Sequence, residues 1–329
     1  MKMMTKMNVW ILAILALSFV MVSCEKDEDP PEINEAEVLI QYMEDPTSPA
    51  ANYGNSGLAI KSAEATHSGV VAGTVYVIDI RQPDDYNGGH IEGAVNLAAA
   101  DVRAHIDDTD LSAYDEIHIV CYSGQSASWL TSLLQLAGYK NVYSMKFGMS
   151  SWHADFDRWS SKTSNEKATF FVATSTDKAA EGDLPILTTG FESGEEIFEA
   201  RFDAVLAEGF GTAAVSNADV YADLGGYYII NYWPEAEYID PGHIDGAIQY
   251  TPNESLSLDT HLKTLPTDKP IAVYCYTGQN SARIATYLRL MGYNAKSITF
   301  GCNGMIYDEM TKSKWSEGAI MGYDYVTSN

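Results

Sequence analysis

Positive charge and cysteine are both scarce in this chain of 329 residues. It has 20 lysines and arginines against 45 aspartates and glutamates, which gives a formal net charge of −25. An acidic surface of this kind repels phosphate groups, so we expect no nucleic-acid partner. The four cysteines contain no Cys-x-x-Cys pair, and the histidines do not cluster with them. The sequence therefore predicts no metal site, and nothing in it indicates a cofactor.

A long apolar run is also missing. The run over residues 9–22 is too short for a comfortable transmembrane helix, which needs about 20 residues. Two lysines precede it and a small residue follows it, so residues 1–23 are predicted to be a secretory signal peptide. Met21-Val22-Ser23-Cys24 resembles a bacterial lipobox. The resemblance implies cleavage before Cys24, a lipid on its sulfur and anchoring in the cell envelope, at the periplasmic or surface side of the outer membrane. An ordinary signal peptide with an incidental cysteine is the alternative.

The rest of the chain contains the same cysteine loop twice, 154 positions apart. Cys121 follows the apolar run Ile-His-Ile-Val, and Cys275 follows Ile-Ala-Val-Tyr. A small polar loop with one glycine comes next, and then a segment with apolar residues at helical spacing. The loops consist of Tyr122, Ser123, Gly124, Gln125, Ser126 and Ala127 in the first copy, and Tyr276, Thr277, Gly278, Gln279, Asn280 and Ser281 in the second. This pattern predicts a buried strand, a tight loop and an amphipathic helix in each copy.

The repeat extends beyond the loop and indicates a duplicated domain. Gly-His-Ile-x-Gly-Ala occurs at 89–94 and 242–247, and Phe-Gly occurs at 147–148 and 300–301. Strands alternate with helical patterns in both halves, which is typical of a mostly parallel sheet flanked by helices. We therefore predict an acidic tether over 24–36, a first domain over 37–165, a linker over 166–194 and a second domain over 195–329. His90 and His243 are predicted to be hydrogen-bonded members of structural turns.

The position of the two cysteines favours nucleophilic chemistry. A cysteine at the carboxyl end of a parallel strand faces the N-terminus of the next helix, where free backbone N–H groups and the helix dipole stabilise a thiolate. The glycine of each loop permits backbone angles that strain other residues. Ser123, Ser126, Thr277 and Ser281 are predicted to add hydroxyl donors. The alternative is a pair of buried structural thiols, because cysteine is often simply buried.

Taken together, these features resemble the rhodanese family of sulfurtransferases. The resemblance rests on the strand that carries Asp79 and Arg81, the Gly-His-Ile turn, the Cys-x-x-Gly loop and the later Phe-Gly, over about 55–165 and 212–320. It implies two tandem rhodanese-like domains of the α/β class, with Asp79 and Arg81 as architectural residues. It also implies that Cys121 and Cys275 accept sulfane sulfur from a small donor such as thiosulfate, hold it as a persulfide, and pass it to a thiol or to cyanide. Residues 122–127 and 276–281 are then the substrate-binding loops, whose backbone holds the intermediate.

The same loops bear on other functions. Related phosphatases have an arginine six residues after the cysteine, and here Ala127 and Ser281 stand at that position, so phosphoryl transfer is disfavoured. A non-catalytic sensor or binding module on a rhodanese scaffold is one alternative, and a thiol redox protein is another. The sequence carries no signal for an oligomeric state.

Cys302 follows the second Phe-Gly, where the first copy has Met149. In the rhodanese fold this loop is expected at the same end of the sheet as Cys275. One hypothesis is that Cys302 is a resolving thiol, which forms a disulfide with an oxidised Cys275. The other is that Cys302 is a small apolar core residue.

Overall fold

The computed structural model describes residues 33–49 and 59–328. The predicted signal peptide, the lipidation site Cys24 and most of the predicted tether lie outside the described residues. Within those residues, no helix combines the length and the apolar character that a membrane crossing requires. The first helix begins at Glu35, inside the range predicted as tether, and Asn34 caps it by accepting from the Glu37 backbone N–H.

Helices and strands alternate along most of the described chain. The helices are α1 (Glu35–Glu44), α2 (Ala63–Ala72), α3 (Pro83–Asn87), α4 (Val102–Asp108), α5 (Gln125–Leu136), α6 (Gly194–Thr212), α7 (Asn217–Ala222), α8 (Glu235–Ile239) and α9 (Gln279–Leu290). The strands are β1 (Ile60–Lys61), β2 (Val75–Asp79), β3 (Val95–Asn96), β4 (Glu116–Val120), β5 (Val142–Met145), β6 (Phe171–Val172), β7 (Ala214–Val215), β8 (Tyr228–Asn231), β9 (His243–Ile244), β10 (Ile248–Gln249), β11 (Ile271–Tyr274) and β12 (Ala295–Ile298).

The strands form two five-stranded sheets with the same topology. The first has the order β1-β5-β4-β2-β3, and the second has the equivalent order β7-β12-β11-β8-β10. All pairings within these two sheets are parallel. The central strands β4 and β11 are the two apolar runs that lead into the cysteines, and both are almost wholly buried because helices cover both faces of a parallel sheet. The predicted α/β fold with two sheet-containing domains is confirmed.

The two domains share one hydrophobic core through α5 and α9. All but one residue of α5 and all but one of α9 are buried, including the polar residues. Ser132 Oγ on α5 donates to the carbonyl of Arg283 on α9, at 3.1 Å, and Thr286 Oγ1 on α9 donates to the Trp129 carbonyl on α5. A single cluster of buried apolar side chains includes Leu133 from α5 and Leu288 from α9. The helices predicted as amphipathic are therefore covered on every side, since each packs on its own sheet and on the other helix.

Each domain also sends an extended segment onto the other. Strand β6, which follows the first domain, pairs antiparallel with β9 of the second domain, and Val172 lies opposite His243. The C-terminal segment returns to the first domain, where Val326 and His90 exchange two backbone hydrogen bonds. The Gly-His-Ile turns thus obtain the backbone partners that buried N–H and C=O groups need. His90 Nδ1 lies 2.8 Å from the Tyr86 carbonyl and His243 Nδ1 lies 2.8 Å from the Tyr238 carbonyl, which confirms hydrogen-bonded turns.

Candidate active site

Both cysteines lie where the sequence predicted them, directly after a central strand. Cys121 is 5% exposed and accepts a hydrogen bond from the Gly124 backbone N–H, at 3.2 Å from Sγ. Cys275 is 2% exposed and accepts from the Ser281 backbone N–H, at 3.3 Å. Its thiol also lies 3.6 Å from Ser281 Oγ, to which it donates. The two sulfurs are therefore held differently, the first near the start of its loop and the second at the first turn of the helix.

Each loop opens a twelve-residue helix, and the first backbone N–H groups of a helix have no partner within the helix itself. Gly124 and Gly278, with φ values of +82° and +80°, are the residues that turn the chain into these helices. Helix N-termini favour negative charge, so the arrangement suits a thiolate or an anionic sulfur intermediate. The predicted convergence of several loop N–H groups is only partly seen, because the described hydrogen bonds bring one backbone donor to each sulfur.

The predicted hydroxyl donors have different positions. Ser281 Oγ contacts the sulfur of its own loop, and it also shares a 2.7 Å hydrogen bond with Ser297 Oγ. Thr277 Oγ1 accepts from the Gln279 backbone N–H, and Ser123 Oγ accepts from the Gln125 side chain. These two hydroxyl groups therefore shape the loops. The side chain of Ser126 is half-buried.

The Phe-Gly turn closes the opposite side of each loop. The Met149 backbone N–H donates to the Cys121 carbonyl at 2.8 Å, and the Cys302 backbone N–H donates to the Cys275 carbonyl at 3.0 Å. Cys302 thus lies at the same sheet end as Cys275, as expected. Its side chain is wholly buried among the apolar residues of the second domain. Burial, together with the neighbouring Cys275, raises the pKa of the Cys302 thiol well above its ordinary value.

The half-buried tyrosines that directly follow the two cysteines, Tyr122 and Tyr276, form the rim of each site. Tyr122 OH donates to Asp85 at 2.9 Å, and burial together with this hydrogen bond raises the pKa of Tyr122. The guanidinium groups of Arg81 and Arg158 lie 4.9 and 4.6 Å from the centre of the Tyr122 ring. Arg81 is buried in an ion pair with Asp79 at 2.6 Å and also donates to the Gly89 carbonyl, which fits the predicted architectural role. Arg158 is exposed and leaves one positive charge at the mouth of the first site.

The second site has a related rim. The rings of Trp233 and Tyr276 stack with their centres 4.7 Å apart, and Lys312 Nζ lies 5.2 Å from the Tyr276 ring. The sequence showed no cation inside either loop, and the structure brings one to each rim from the end of its domain. Arg158 directly precedes the repeated Trp-Ser pair at 159–160, and this was the only sequence signal that could have drawn attention to it.

Gln125 and Gln279 are loop residues that do not line their own sites. Both are buried, and their side-chain amides reach across the boundary between the domains. Gln125 Oε1 accepts from the Phe300 backbone N–H at 2.8 Å, and Gln279 Oε1 accepts from the Phe147 backbone N–H at 2.9 Å. The sequence predicted both glutamines as substrate-binding residues of their own loops, and no pattern in it indicates that their side chains cross. Among the described residues, no group of three or more histidines, cysteines or acids is placed to hold a metal ion.

Comparisons with known proteins show which family the chain matches. A family model described as Rhodanese-like domain matches residues 60–155 and 216–305, which together make up more than half of the chain. Thiosulfate sulfurtransferase GlpE of Shewanella oneidensis is 35% identical over 82 residues, covering 25% of this chain and 79% of the relative. The protein of the same name from Pseudomonas entomophila is 38% identical over 80 residues, covering 24% and 72%. Among solved structures, SseA from Escherichia coli, described with the 3-mercaptopyruvate sulfotransferases, is 18% identical, with 79% of this chain and all of that chain covered, at a TM-score of 0.27.

Proposed function

We propose a sulfurtransferase function for this chain, which belongs to the rhodanese family. The observation that carries the proposal is the duplicated loop, in which Cys121 and Cys275 each lie before a helix N-terminus and accept a backbone hydrogen bond on sulfur. Similar proteins named thiosulfate sulfurtransferases support it. In this proposal both cysteines are nucleophiles that carry a sulfur atom between a small donor and an acceptor.

The reaction divides into two displacements at sulfur. The cysteine thiolate attacks the outer sulfur of thiosulfate, the sulfur–sulfur bond of the donor breaks, and sulfite leaves with the bonding electron pair. The product is a cysteine persulfide anion. An acceptor thiolate or cyanide then attacks the outer sulfur and returns the cysteine as a thiolate. Covalent catalysis of this kind replaces one difficult transfer by two easier ones.

The loop can stabilise the charge at each stage. A persulfide extends the anion by one sulfur atom toward the helix N-terminus, where the backbone N–H groups of the first turn and the helix dipole act on it. In the second site, Ser281 offers both its N–H and its hydroxyl within reach of the sulfur. Arg158 places positive charge beside Tyr122, which favours the approach of an anionic donor to the first site of an otherwise acidic protein. Lys312, beside Tyr276, is paired with Glu237, so the second site gains less from its cation.

The test is the intact mass of the purified protein after treatment with thiosulfate, with C121S, C275S and the double variant in parallel. We expect a gain of one sulfur atom for each active cysteine, and the gain should be absent from the double variant. The same samples should release sulfite and, with cyanide, thiocyanate. No gain with thiosulfate or mercaptopyruvate, while both thiols can still be alkylated, would contradict the proposal and favour a binding module. A loss of two hydrogens without added sulfur would instead indicate a thiol redox protein.

We further propose that the mature protein is anchored in the bacterial cell envelope by a lipid on Cys24. The lipobox-like sequence before Cys24 and the acidic segment after it support this location. The C24A variant is expected to move from the membrane fraction to the soluble fraction. Protease treatment of whole cells would then distinguish a surface location from a periplasmic one. Membrane retention of C24A would contradict lipid anchoring.

A further inference from the structure

The side chain of Gln279 belongs to the loop of Cys275 but lies within the first domain. It is fully buried, and its Oε1 accepts from the Phe147 backbone N–H at 2.9 Å. Its Nε2 lies 3.3 Å from the Gly124 carbonyl and 3.4 Å from the Met145 carbonyl, and 3.2 Å from Ser128 Oγ. All four contacts are with the first domain, so this amide has its full set of partners there and none in its own loop.

Those contacts hold the two segments that enclose Cys121. Gly124, whose carbonyl lies beside the Gln279 amide, is also the residue whose N–H donates to Cys121 Sγ. A Cβ atom on Gly124 would lie 2.5 Å from Gln279 Nε2 and 2.7 Å from the Met145 carbonyl oxygen, so a side chain there would displace the crossing amide as well as strain the positive φ. Phe147 has φ of +62°, a left-handed conformation that costs energy for a residue other than glycine and persists where neighbours stabilise it.

The equivalent contact, from Gln125 to the second domain, involves fewer hydrogen bonds. Gln125 Oε1 accepts from the Phe300 backbone N–H at 2.8 Å, and Phe300 has φ of +61°. Gln125 Nε2, however, donates to Ser123 within its own loop. Gln125 therefore contributes one described hydrogen bond to the second domain, whereas Gln279 contributes four polar contacts to the first. Each loop therefore contacts the other domain, but Gln279 makes more of these contacts than Gln125.

An aromatic cluster covers the same boundary. It consists of Phe147 and Trp159 from the first domain and Phe300 and Trp315 from the second, and ring centres within it lie 5.0 to 5.8 Å apart. Trp159 Nε1 also donates to the Ser123 carbonyl in the Cys121 loop. The two phenylalanines held by the crossing glutamines are thus packed against each other's domain, and movement of one turn changes the surroundings of the other.

We propose that the two cysteine loops are mutually positioned, with Gln279 as the positioning residue for Cys121 and Gln125 as a weaker one for Cys275. The inference rests on the proposed sulfurtransferase function and adds that neither site has its reactive shape without the loop of the other. A change in one loop, such as accepting a sulfur atom, is transmitted through the glutamine to the Phe-Gly turn opposite.

The test measures Cys121 alone, in the C275S background, so that the second sulfur contributes nothing. Gln279→Met keeps the volume of the side chain and removes the acceptor for Phe147 N–H and the donors for Gly124 and Met145. The matched control is Gln135→Met, because Gln135 is a buried glutamine on α5 whose amide donates to the Val142 carbonyl within its own domain. Two rates are recorded for each protein: persulfide formation with thiosulfate, and alkylation by iodoacetamide across pH.

We expect Gln279→Met to slow persulfide formation at Cys121 by about tenfold and to shift the pH profile of its alkylation, as loss of buried hydrogen bonds at a site predicts. Gln135→Met should leave both unchanged. Gln125→Met in the C121S background should slow Cys275 by a smaller factor. Identical rates and pH profiles for Gln279→Met and its parent would overturn the proposal. So would an equal effect of the control, because that would show a general loss of stability.

The two readouts separate this inference from the proposed function. If the parent forms no persulfide with any donor, the sulfurtransferase proposal fails, and the alkylation profile still decides whether Gln279 positions Cys121. If Gln279→Met does not fold, as judged by circular dichroism, the Gln125→Met comparison at Cys275 carries the same test in the opposite direction.

Discussion

Alanine at Gly148 is expected to disable the Cys121 site far more than the Cys275 site. Gly148 has φ of +60°, and a Cβ atom there would lie 2.2 Å from the Cys121 carbonyl oxygen and 2.6 Å from the Gly124 nitrogen. Both neighbours are backbone atoms of the cysteine loop, so the collision can be relieved only if the loop itself moves. Since the Gly124 N–H is the backbone donor to Cys121 Sγ, the movement takes that donor away from the sulfur.

The magnitude follows from two contributions. A left-handed conformation costs a residue other than glycine about 1–2 kcal/mol. Forcing an extra carbon into a closely packed space adds about 1–3 kcal/mol. We therefore expect Gly148→Ala to lower the free energy of unfolding by about 2–5 kcal/mol, a large part of the roughly 5–15 kcal/mol that stabilises an ordinary domain.

Gly73 offers a matched control. It has φ of +72°, at the end of α2, and no atom lies within 4 Å of the position that its Cβ would take. Gly73→Ala thus carries the conformational cost of about 1–2 kcal/mol without the collision. Urea unfolding of both variants, together with mass-resolved persulfide formation at each cysteine, separates the two contributions. The reasoning is refuted if Gly148→Ala is no less stable than Gly73→Ala and forms the Cys121 persulfide at the parent rate.

Three further predictions concern the rim, the third cysteine and pH. Arg158→Gln is expected to raise the KM for thiosulfate at Cys121 several-fold, with little change in kcat and with a smaller effect at high salt, because an exposed charge acts mainly on encounter. Cys302 should be the last of the three described thiols alkylated in the folded protein, since burial and Cys275 raise its pKa, and C302S should transfer sulfur at the parent rate. Burial lowers the pKa of His118 in the folded protein below its ordinary 6.5, so on acidification the unfolded chain binds the proton first. The free energy of unfolding should therefore be highest above pH 6.5 and fall as the pH drops below it. H118Q should flatten that fall in urea unfolding at different pH values.

Each of these has a contrary outcome. An unchanged KM at low salt would remove Arg158 from donor binding. A Cys275–Cys302 disulfide after peroxide treatment, absent in C302S, would support the resolving-thiol hypothesis over the core-residue one. Parallel pH dependence of the parent and H118Q would assign the acid loss of stability to other groups, of which Glu116 is the nearest, with its oxygen 2.8 Å from His118 Nε2.

The strands, loops and turns that the sequence predicted well are those that depend on residue patterns within a short stretch of chain. The β-branched runs before Cys121 and Cys275 can be buried only in central strands, and they form β4 and β11. The loop glycines and the helices that follow depend on backbone angles and periodicity within about a dozen residues. The Gly-His-Ile turns were recognised because they occur twice, and the structure shows their histidines bound to nearby carbonyls.

The features that the sequence could not show depend on contacts between the domains. Polar residues on α5, such as Ser132, indicated a face in water, yet they lie against α9, because a second helix of similar pattern covers them. The periodicity of one helix carries no information about which surface lies opposite. The crossing of Gln125 and Gln279 and the return of Val326 to His90 are likewise contacts between the domains that no local pattern encodes.

The duplicated halves are therefore expected to be less stable apart than together. In the whole chain Phe147 packs edge to face on Trp315, and Trp159 on Phe300, across the domain boundary, while α5 is covered by α9. Each large apolar side chain returned to water costs about 1.5–3 kcal/mol. Exposure of only two or three would remove an amount comparable to the roughly 5–15 kcal/mol that holds a domain folded. Residues 59–165 alone should consequently show no cooperative urea transition, or one at far lower urea than the whole protein. A fragment that unfolds at the same urea concentration as the whole chain would mean that the shared boundary adds little, and the mutual positioning of the two loops would then lose its structural basis.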